Sequence, residues 1–150
     1  MGIVKDIEQT SLEKGQPLIE WNEALENGIP EIDAQHQVLA GLFNKLYLAI
    51  LKDSTGPAIN KILDETVFYT KFHFGTEERY YEEFDYTWKD KHKQEHAEFI
   101  EKITAFQEDW LSGKLRLTVE LHSHLSDWLK THISVSDRKA GVFLRLFWMK

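Results

Sequence analysis

Histidines in this chain occupy positions where an amphipathic helix ordinarily places leucine or isoleucine on its inward face. The five inward-facing histidines are His36, His73, His92, His96 and His132. They come from four different helical patterns, and each pattern contributes at least one. Burying an imidazole without a partner costs roughly 1 to 3 kcal/mol, so five of them in one core require something that binds them.

The spacing of these residues is typical of metal ligands. His92 and His96 are four residues apart, so their rings lie on one helix face and can bind the same ion. His73 and Glu77 repeat the spacing, which adds a carboxylate beside the imidazoles. The chain has no cysteine, so a transition metal must be held by histidine and carboxylate. Five imidazoles with carboxylates exceed the needs of one ion and favour two.

Asp137 is a further candidate ligand with an irregular spacing. It follows His132 by five residues, which places it about 140° away around a regular α-helix. The intervening Ser134–Ser136 are poor helix formers, so a π-type turn or a helix end there would bring Asp137 towards the site. Suppose that three histidines bind one ion, two bind the other, and two carboxylates and a hydroxide bridge both. The first ion is then six-coordinate, and the second is five-coordinate with one open position.

The elements that must position these residues are four helices. Apolar residues recur at alternating steps of three and four, and this pattern predicts helices over about 31–52, 57–85, 88–112 and 115–134. In the second helix the inward face is predicted to continue from Glu77 through Tyr80, and in the third it begins at Trp88. Short links between the helices predict an all-α, up-down-up-down four-helix bundle with the metal centre in its core.

The chain is predicted to form one domain with two appendages. Its length of 150 residues suits a single core. Residues 1–17 are expected to be a mobile N-terminal arm, and residues 18–150 the bundle with a C-terminal tail. The tail, Val142–Trp148, is expected to dock on the bundle or to form a short extra helix, although it could also be a partner surface.

Composition excludes several classes of function. The net charge of -7 disfavours nucleic acid as a partner, because phosphates require a basic surface. The first 16 residues lack the apolar core of a signal peptide, which predicts a cytoplasmic protein. The most apolar stretch, Val142–Met149, contains Arg145 and is far shorter than the roughly 20 residues of a membrane span. A monomer without a membrane span is expected.

From about Trp21 to Asp137 the chain resembles the bacterial single-domain hemerythrins. The motifs that carry this resemblance are Gly28-Ile29, Ile32-Asp33, Gln35-His36, His73-Phe74, Glu77-Glu78, His92 with His96, Trp128-Leu129, His132-Ile133 and Asp137. All seven ligand positions of the family are filled. One departure is visible, since Tyr80-Tyr81 stands where relatives often carry Leu-Met.

The resemblance implies a non-haem di-iron centre. In the family pattern His92, His96 and His132 hold one iron and His36 and His73 hold the other. Glu77 and Asp137 bridge the two ions, together with a hydroxide or oxide. Two Fe ions per chain are implied, ferrous in the deoxy form and ferric in the oxy form.

The implied function is reversible binding of molecular oxygen, without enzymatic activity. Its use would be oxygen storage, transport or delivery, with an oxygen-consuming enzyme as recipient. Leu129, Ile133 and Tyr80 are candidates for the oxygen pocket. The alternatives are a di-iron enzyme with peroxidase-like or nitric-oxide-reducing activity, and an oxygen or iron sensor. Spacing alone does not exclude zinc or manganese in place of iron.

Overall fold

The structure, a computed structural model, describes residues 19–52, 54–113 and 119–148. Its helices are α1 (Pro30–Leu51), α2 (Gly56–Glu83), α3 (Lys89–Leu111), α4 (Val119–Thr131) and α5 (Arg138–Trp148). A π-helix, His132–Asp137, joins α4 to α5. The first four helices form the predicted up-down-up-down bundle. The predicted arm 1–17 and the predicted helical residues 115–118 lie outside the described residues.

Local sequence signals account for the helix ends. The hydroxyl of Thr55 accepts a hydrogen bond from the N–H of Ala58 (3.3 Å), which caps α2. Gly113 follows α3 with φ +79°, a conformation that glycine adopts without strain. The prediction for Trp88 was wrong: its side chain is 47% exposed and precedes α3. The chain turns at Asp85, with φ 50°, and regular helix resumes only at Lys89.

In the part of the chain that the structure describes, the apolar side chains form two buried clusters. The larger cluster fills the bundle and includes Leu39, Phe43, Leu46, Leu63, Phe99 and Ile103. The smaller one lies beneath α5 and includes Ile29, Ile32, Tyr81, Tyr86, Ala140 and Leu144. Among the described residues, no helix is both long enough and apolar enough to cross a membrane.

The C-terminal segment is a helix that packs against the bundle. Ala140 and Leu144 of α5 are fully buried beside Ile29, in the segment that leads into α1. Gly141 makes the closest approach in this interface, because a Cβ there would collide with the carbonyl oxygen of Asn27 and lie 2.8 Å from Asn27 Cβ. The tail, for which docking on the bundle and a short extra helix were alternative predictions, therefore does both.

We expect Gly141→Ala to destabilise the protein by about 1 to 3 kcal/mol, because the added methyl group overpacks the interface with Asn27. Gly41→Ala is the matched control, since a Cβ at Gly41 meets nothing within 4 Å and should stabilise α1 by up to about 1 kcal/mol. Urea unfolding measures both. Equal unfolding midpoints for the two variants would contradict the close approach at Gly141.

Candidate metal centre

The antiparallel arrangement of the helices brings all seven predicted ligand residues to one end of the bundle. They come from the first part of α1 and α3, the last part of α2, and the π-helix that follows α4. Each of the seven is at most 4% exposed. Their donor atoms form two groups with shared members, each group lying within 4.8 Å. The residues are His36, His73, Glu77, His92, His96, His132 and Asp137.

The first group, called here the three-histidine group, contains His92, His96, His132, Glu77 and Asp137. Nε2 of His132 lies 3.1 Å from Nε2 of His92 and 3.1 Å from Nε2 of His96. Asp137 Oδ1 lies 2.7 Å from His92 Nε2, and Glu77 Oε1 lies 3.3 Å from His96 Nε2. Neighbouring corners of an octahedron are about 3 Å apart when each donor is about 2.1 Å from the ion. The group therefore fits one metal ion.

The second group, called the two-histidine group, contains His36, His73, Glu77 and Asp137. Asp137 Oδ2 lies 3.0 Å from His36 Nε2, and Glu77 Oε1 lies 3.1 Å from His73 Nε2. These four buried atoms have close neighbours, but none makes a hydrogen bond of acceptable geometry within the described residues. Buried polar atoms without such bonds are costly, and a cation would satisfy all four together.

Asp137 reaches both groups because of the π-helix. A regular α-helix would place a residue five positions after His132 on a different face. The π-helix over His132–Asp137 absorbs the additional residue, so that Oδ1 of Asp137 faces the three-histidine group and Oδ2 faces His36. Val135, in the middle of this turn, is 61% exposed. The sequence predicted either a π-type turn or a helix end at Ser134–Ser136, and the structure has the π-type turn.

Polar side chains contact Nδ1 of two imidazole rings, the nitrogen that faces away from the centre, and these contacts were not predicted from the sequence. Oε1 of Gln35 lies 2.8 Å from Nδ1 of His73. Oε2 of Glu78 lies 2.9 Å from Nδ1 of His96. Partners of this kind fix which ring nitrogen faces a metal and increase its basicity. In the sequence, the feature that could have indicated these residues is that each is next to a predicted ligand: Gln35 precedes His36, and Glu78 follows Glu77.

Glu95 lies close to the third ring, that of His132, but the two side chains make no hydrogen bond of acceptable geometry. Oε2 of Glu95 lies 3.1 Å from Nδ1 of His132. The nearby His132 imidazole outweighs the effect of partial burial and lowers the pKa of Glu95 to about 2. Glu95 thus stays ionised and favours the tautomer in which Nε2 of His132 faces the centre.

Charge in the centre favours a cation. Burial lowers the pKa of His36, but the carboxylates of Asp137 and Glu77 outweigh it and raise this pKa to about 9. Burial likewise opposes protonation of His132, yet Asp137 and Glu95 raise its pKa to about 10. Burial alone would raise the pKa of Glu77, but the surrounding imidazoles hold it well below its usual range. Without a metal, protons therefore balance the carboxylates, and metal ions would replace them.

The tyrosine that reaches the centre is Tyr81, whereas Tyr80 had been predicted. The Tyr81 phenol O–H donates to Oε2 of Glu77 (3.3 Å), and its oxygen lies 3.1 Å from Nε2 of His92. Tyr80 instead stacks on Phe84 in the smaller cluster. Tyr80 is three residues after Glu77 and Tyr81 is four residues after it, and the helix places Tyr81 against Glu77.

Aromatic and aliphatic side chains enclose the imidazoles. The Phe74 ring stacks on His96 with centroids 3.8 Å apart, and Trp128 stacks on His132 at 4.8 Å. Leu129 is fully buried in the larger cluster, beside the segment that carries His132. The surroundings of the centre are therefore both apolar and close-packed.

The fold is a helical bundle, and its buried histidines and carboxylates form a cluster that fits a non-haem di-metal centre. The family model described as the hemerythrin HHE cation binding domain matches residues 27–141. The chain belongs to the hemerythrin family.

Similar proteins agree with this assignment. The chain is 33% identical over 121 residues to a bacteriohemerythrin of Stenotrophomonas maltophilia, covering 81% of this chain and 78% of that protein. It is 31% identical over 123 residues to a bacteriohemerythrin of Clostridium acetobutylicum, covering 79% and 95%. A crystal structure of wild-type hemerythrin superposes with a TM-score of 0.79 at 27% identity, covering 85% and 98%. None of these relatives bears the name of an enzyme.

Proposed function

We propose that this protein binds molecular oxygen reversibly at a centre of two iron ions. His92, His96 and His132 hold one iron, and His36 and His73 hold the other. Glu77 and Asp137 lie in both donor groups and would bridge the ions, with a hydroxide or oxide completing the centre. The positions of Glu77 and Asp137 support this assignment, because each carboxylate lies within reach of histidines from both groups.

The observation that carries the proposal is the unequal number of histidines in the two groups. The three-histidine group offers five protein donors and the two-histidine group offers four. An ion beside His36 and His73 therefore keeps a position for an outside ligand. When bound, a pair of ferrous ions supplies the two electrons that reduce dioxygen reversibly.

The donor types favour binding of oxygen over its cleavage. Imidazoles outnumber carboxylates five to two in the two groups, and neutral donors stabilise the ferrous state better than anionic ones. Leu129 and Ile133 are proposed as walls of the oxygen pocket. Both are buried in the larger cluster, where they exclude the water and protons that promote loss of a reduced ligand.

The cellular part of the proposal concerns storage, transport or delivery. We place the protein in the cytoplasm as a monomer, with an oxygen-consuming enzyme as recipient of the oxygen. Support for a carrier comes from the relatives, whose names describe hemerythrins and not catalysts.

Metal analysis combined with visible spectroscopy tests the function. The purified protein should contain two irons per chain, gain visible absorption on aeration, and lose it again under argon. A centre that contains zinc or manganese in place of iron would contradict the proposal, as would an absorption change that argon does not reverse.

Gln35→Leu should weaken iron binding by roughly 10- to 100-fold, because the imidazole of His73 loses the acceptor that fixes its orientation. Gln37→Leu makes the same chemical change at an exposed position of α1 and should leave iron affinity unchanged. Competition with a chromophoric iron chelator measures the affinities. Indistinguishable affinities for the two variants would show that Gln35 does not support the centre.

A further inference from the structure

Thr76 connects α2 to the side chain of α1 that contacts His73. The hydroxyl oxygen of Thr76 accepts a hydrogen bond from Nε2 of Gln35 (3.2 Å), and its O–H donates to the carbonyl oxygen of Phe72 (3.2 Å). Thr76 is 7% exposed and Gln35 is 9% exposed, so water competes little for these bonds. A buried chain of hydrogen bonds therefore runs from the backbone of α2 through Thr76 and Gln35 to the imidazole of His73.

This chain determines which group of the Gln35 amide faces His73. A hydroxyl has one proton, and the carbonyl of Phe72 accepts it, so the Thr76 oxygen meets Gln35 as an acceptor. An acceptor selects the NH2 group of the amide, which leaves Oε1 of Gln35 turned towards Nδ1 of His73 at 2.8 Å. The reverse amide orientation would require the Thr76 hydroxyl to release Phe72. An amide oxygen beside Nδ1 favours the ring form in which Nε2 is free to bind a metal ion.

The orientation of His73 matters because the other imidazole of the two-histidine group is not held in this way. Nδ1 of His36 is buried and makes no hydrogen bond within the described residues. His73 is therefore the ring of this group whose outward nitrogen has a hydrogen-bonding partner, Gln35. The iron with the open position depends on that one partner for a fixed imidazole.

Two other buried threonines of α2 show what is particular to Thr76. The hydroxyl of Thr66 donates to the carbonyl of Ile62 (2.8 Å), and that of Thr70 donates to the carbonyl of Thr66 (2.7 Å). Such bonds to the preceding turn are common for threonine in helices. Within the described part of the chain, Thr76 is the member of the three that also accepts a hydrogen bond from another helix.

We propose that Thr76 is a positioning residue for the iron held by His36 and His73, and that it acts through the Gln35 amide. This inference rests on the proposed function. Thr76 supplies no ligand. Its hydroxyl orients the amide of Gln35, and the amide orients the imidazole of His73.

Competition with a chromophoric iron chelator tests this role in the iron-loaded protein. Thr76→Val should bind one of its two irons roughly 3- to 10-fold more weakly, which is the effect of about one neutral hydrogen bond. Thr76→Ser keeps the hydroxyl and should restore the affinity. Thr70→Val is the matched control, since it removes a buried hydroxyl and the same kind of bond from the same helix, and it should bind iron as the wild type does.

A double-mutant cycle tests whether Thr76 acts through Gln35. In the Gln35→Leu background Thr76→Val should cause no further loss of affinity, because the amide that Thr76 orients is absent. A full additional loss in that background overturns the inference, as does wild-type affinity in Thr76→Val alone. Thr76→Ala removes the same hydroxyl and decides the question if Thr76→Val does not fold.

The outcomes separate this inference from the proposed function. Wild-type protein that contains two irons and responds reversibly to oxygen, together with an unchanged affinity in Thr76→Val, overturns the role of Thr76 and leaves the function intact. If the wild type binds two irons but its response to oxygen is irreversible, the function is overturned and the affinities still decide the role of Thr76. Wild-type protein that takes up no iron overturns both.

Discussion

His132→Ala is expected to lose most of its bound iron and its oxygen-dependent visible absorption. Nε2 of His132 lies 3.1 Å from both other imidazoles of the three-histidine group, so it occupies the middle of that group. Its removal also strips Glu95 of its partner and leaves a cavity beside Trp128. Changing a side chain that merely supports a ligand costs roughly 10- to 100-fold in metal affinity. The loss of the ligand itself should exceed the upper end of that range.

His124→Ala is the matched control for this prediction. His124 lies on α4, the helix that ends directly before His132, and its side chain is exposed. Iron content by metal analysis and the absorption change on aeration should be unaffected in this variant. Iron retained at the wild-type level in His132→Ala would remove His132 from the proposed ligand set.

Removal of iron should lower the free energy of unfolding by several kcal/mol. Ions that bind only the folded chain stabilise it by about 3 to 4 kcal/mol at roughly 100 to 1,000 times their dissociation constant. Without them, nitrogen atoms of His36 and His73 and oxygen atoms of Glu77 and Asp137 stay buried without hydrogen bonds of good geometry. Anaerobic urea unfolding with and without an iron chelator measures the difference.

The His132→Ala variant supplies the control for chelation. If iron stabilises the protein through the two donor groups, a chelator should shift the unfolding midpoint of the wild type and leave that of the variant unchanged. A shift of equal size in both proteins would assign the chelator's effect to some other property of the chain.

The helices and the meeting of the seven histidine and carboxylate side chains in the core could be predicted from the sequence, because the inward face of each helix is defined by a repeating pattern. A histidine that interrupts this pattern is conspicuous, since burial without a partner is costly. The predicted range 57–85 accordingly differs little from the observed Gly56–Glu83. Asp137 required an additional argument from helix propensity, and the π-helix has the form that Ser134–Ser136 suggested.

The supporting residues and the tyrosine could not be predicted in the same way. Gln35 is buried, and Glu78 and Glu95 are partly buried. In the sequence alone, a polar side chain that contacts an imidazole looks the same as one that faces water. Tyr80 and Tyr81 both lie near the edge of the inward face, because 3.6 residues per turn leaves positions three and four steps on nearly equivalent. Tyr80 packs against Phe84, whereas the hydroxyl of Tyr81 contacts Glu77 and His92, and the sequence does not show these contacts.

The distribution of the donors along the chain also dictates when the centre can be assembled during biosynthesis. Asp137 belongs to both donor groups and is the last of the seven to be translated, long after His36. Neither group is complete on a nascent chain that stops short of it. The iron centre proposed above can therefore be completed only after Asp137 has been synthesised.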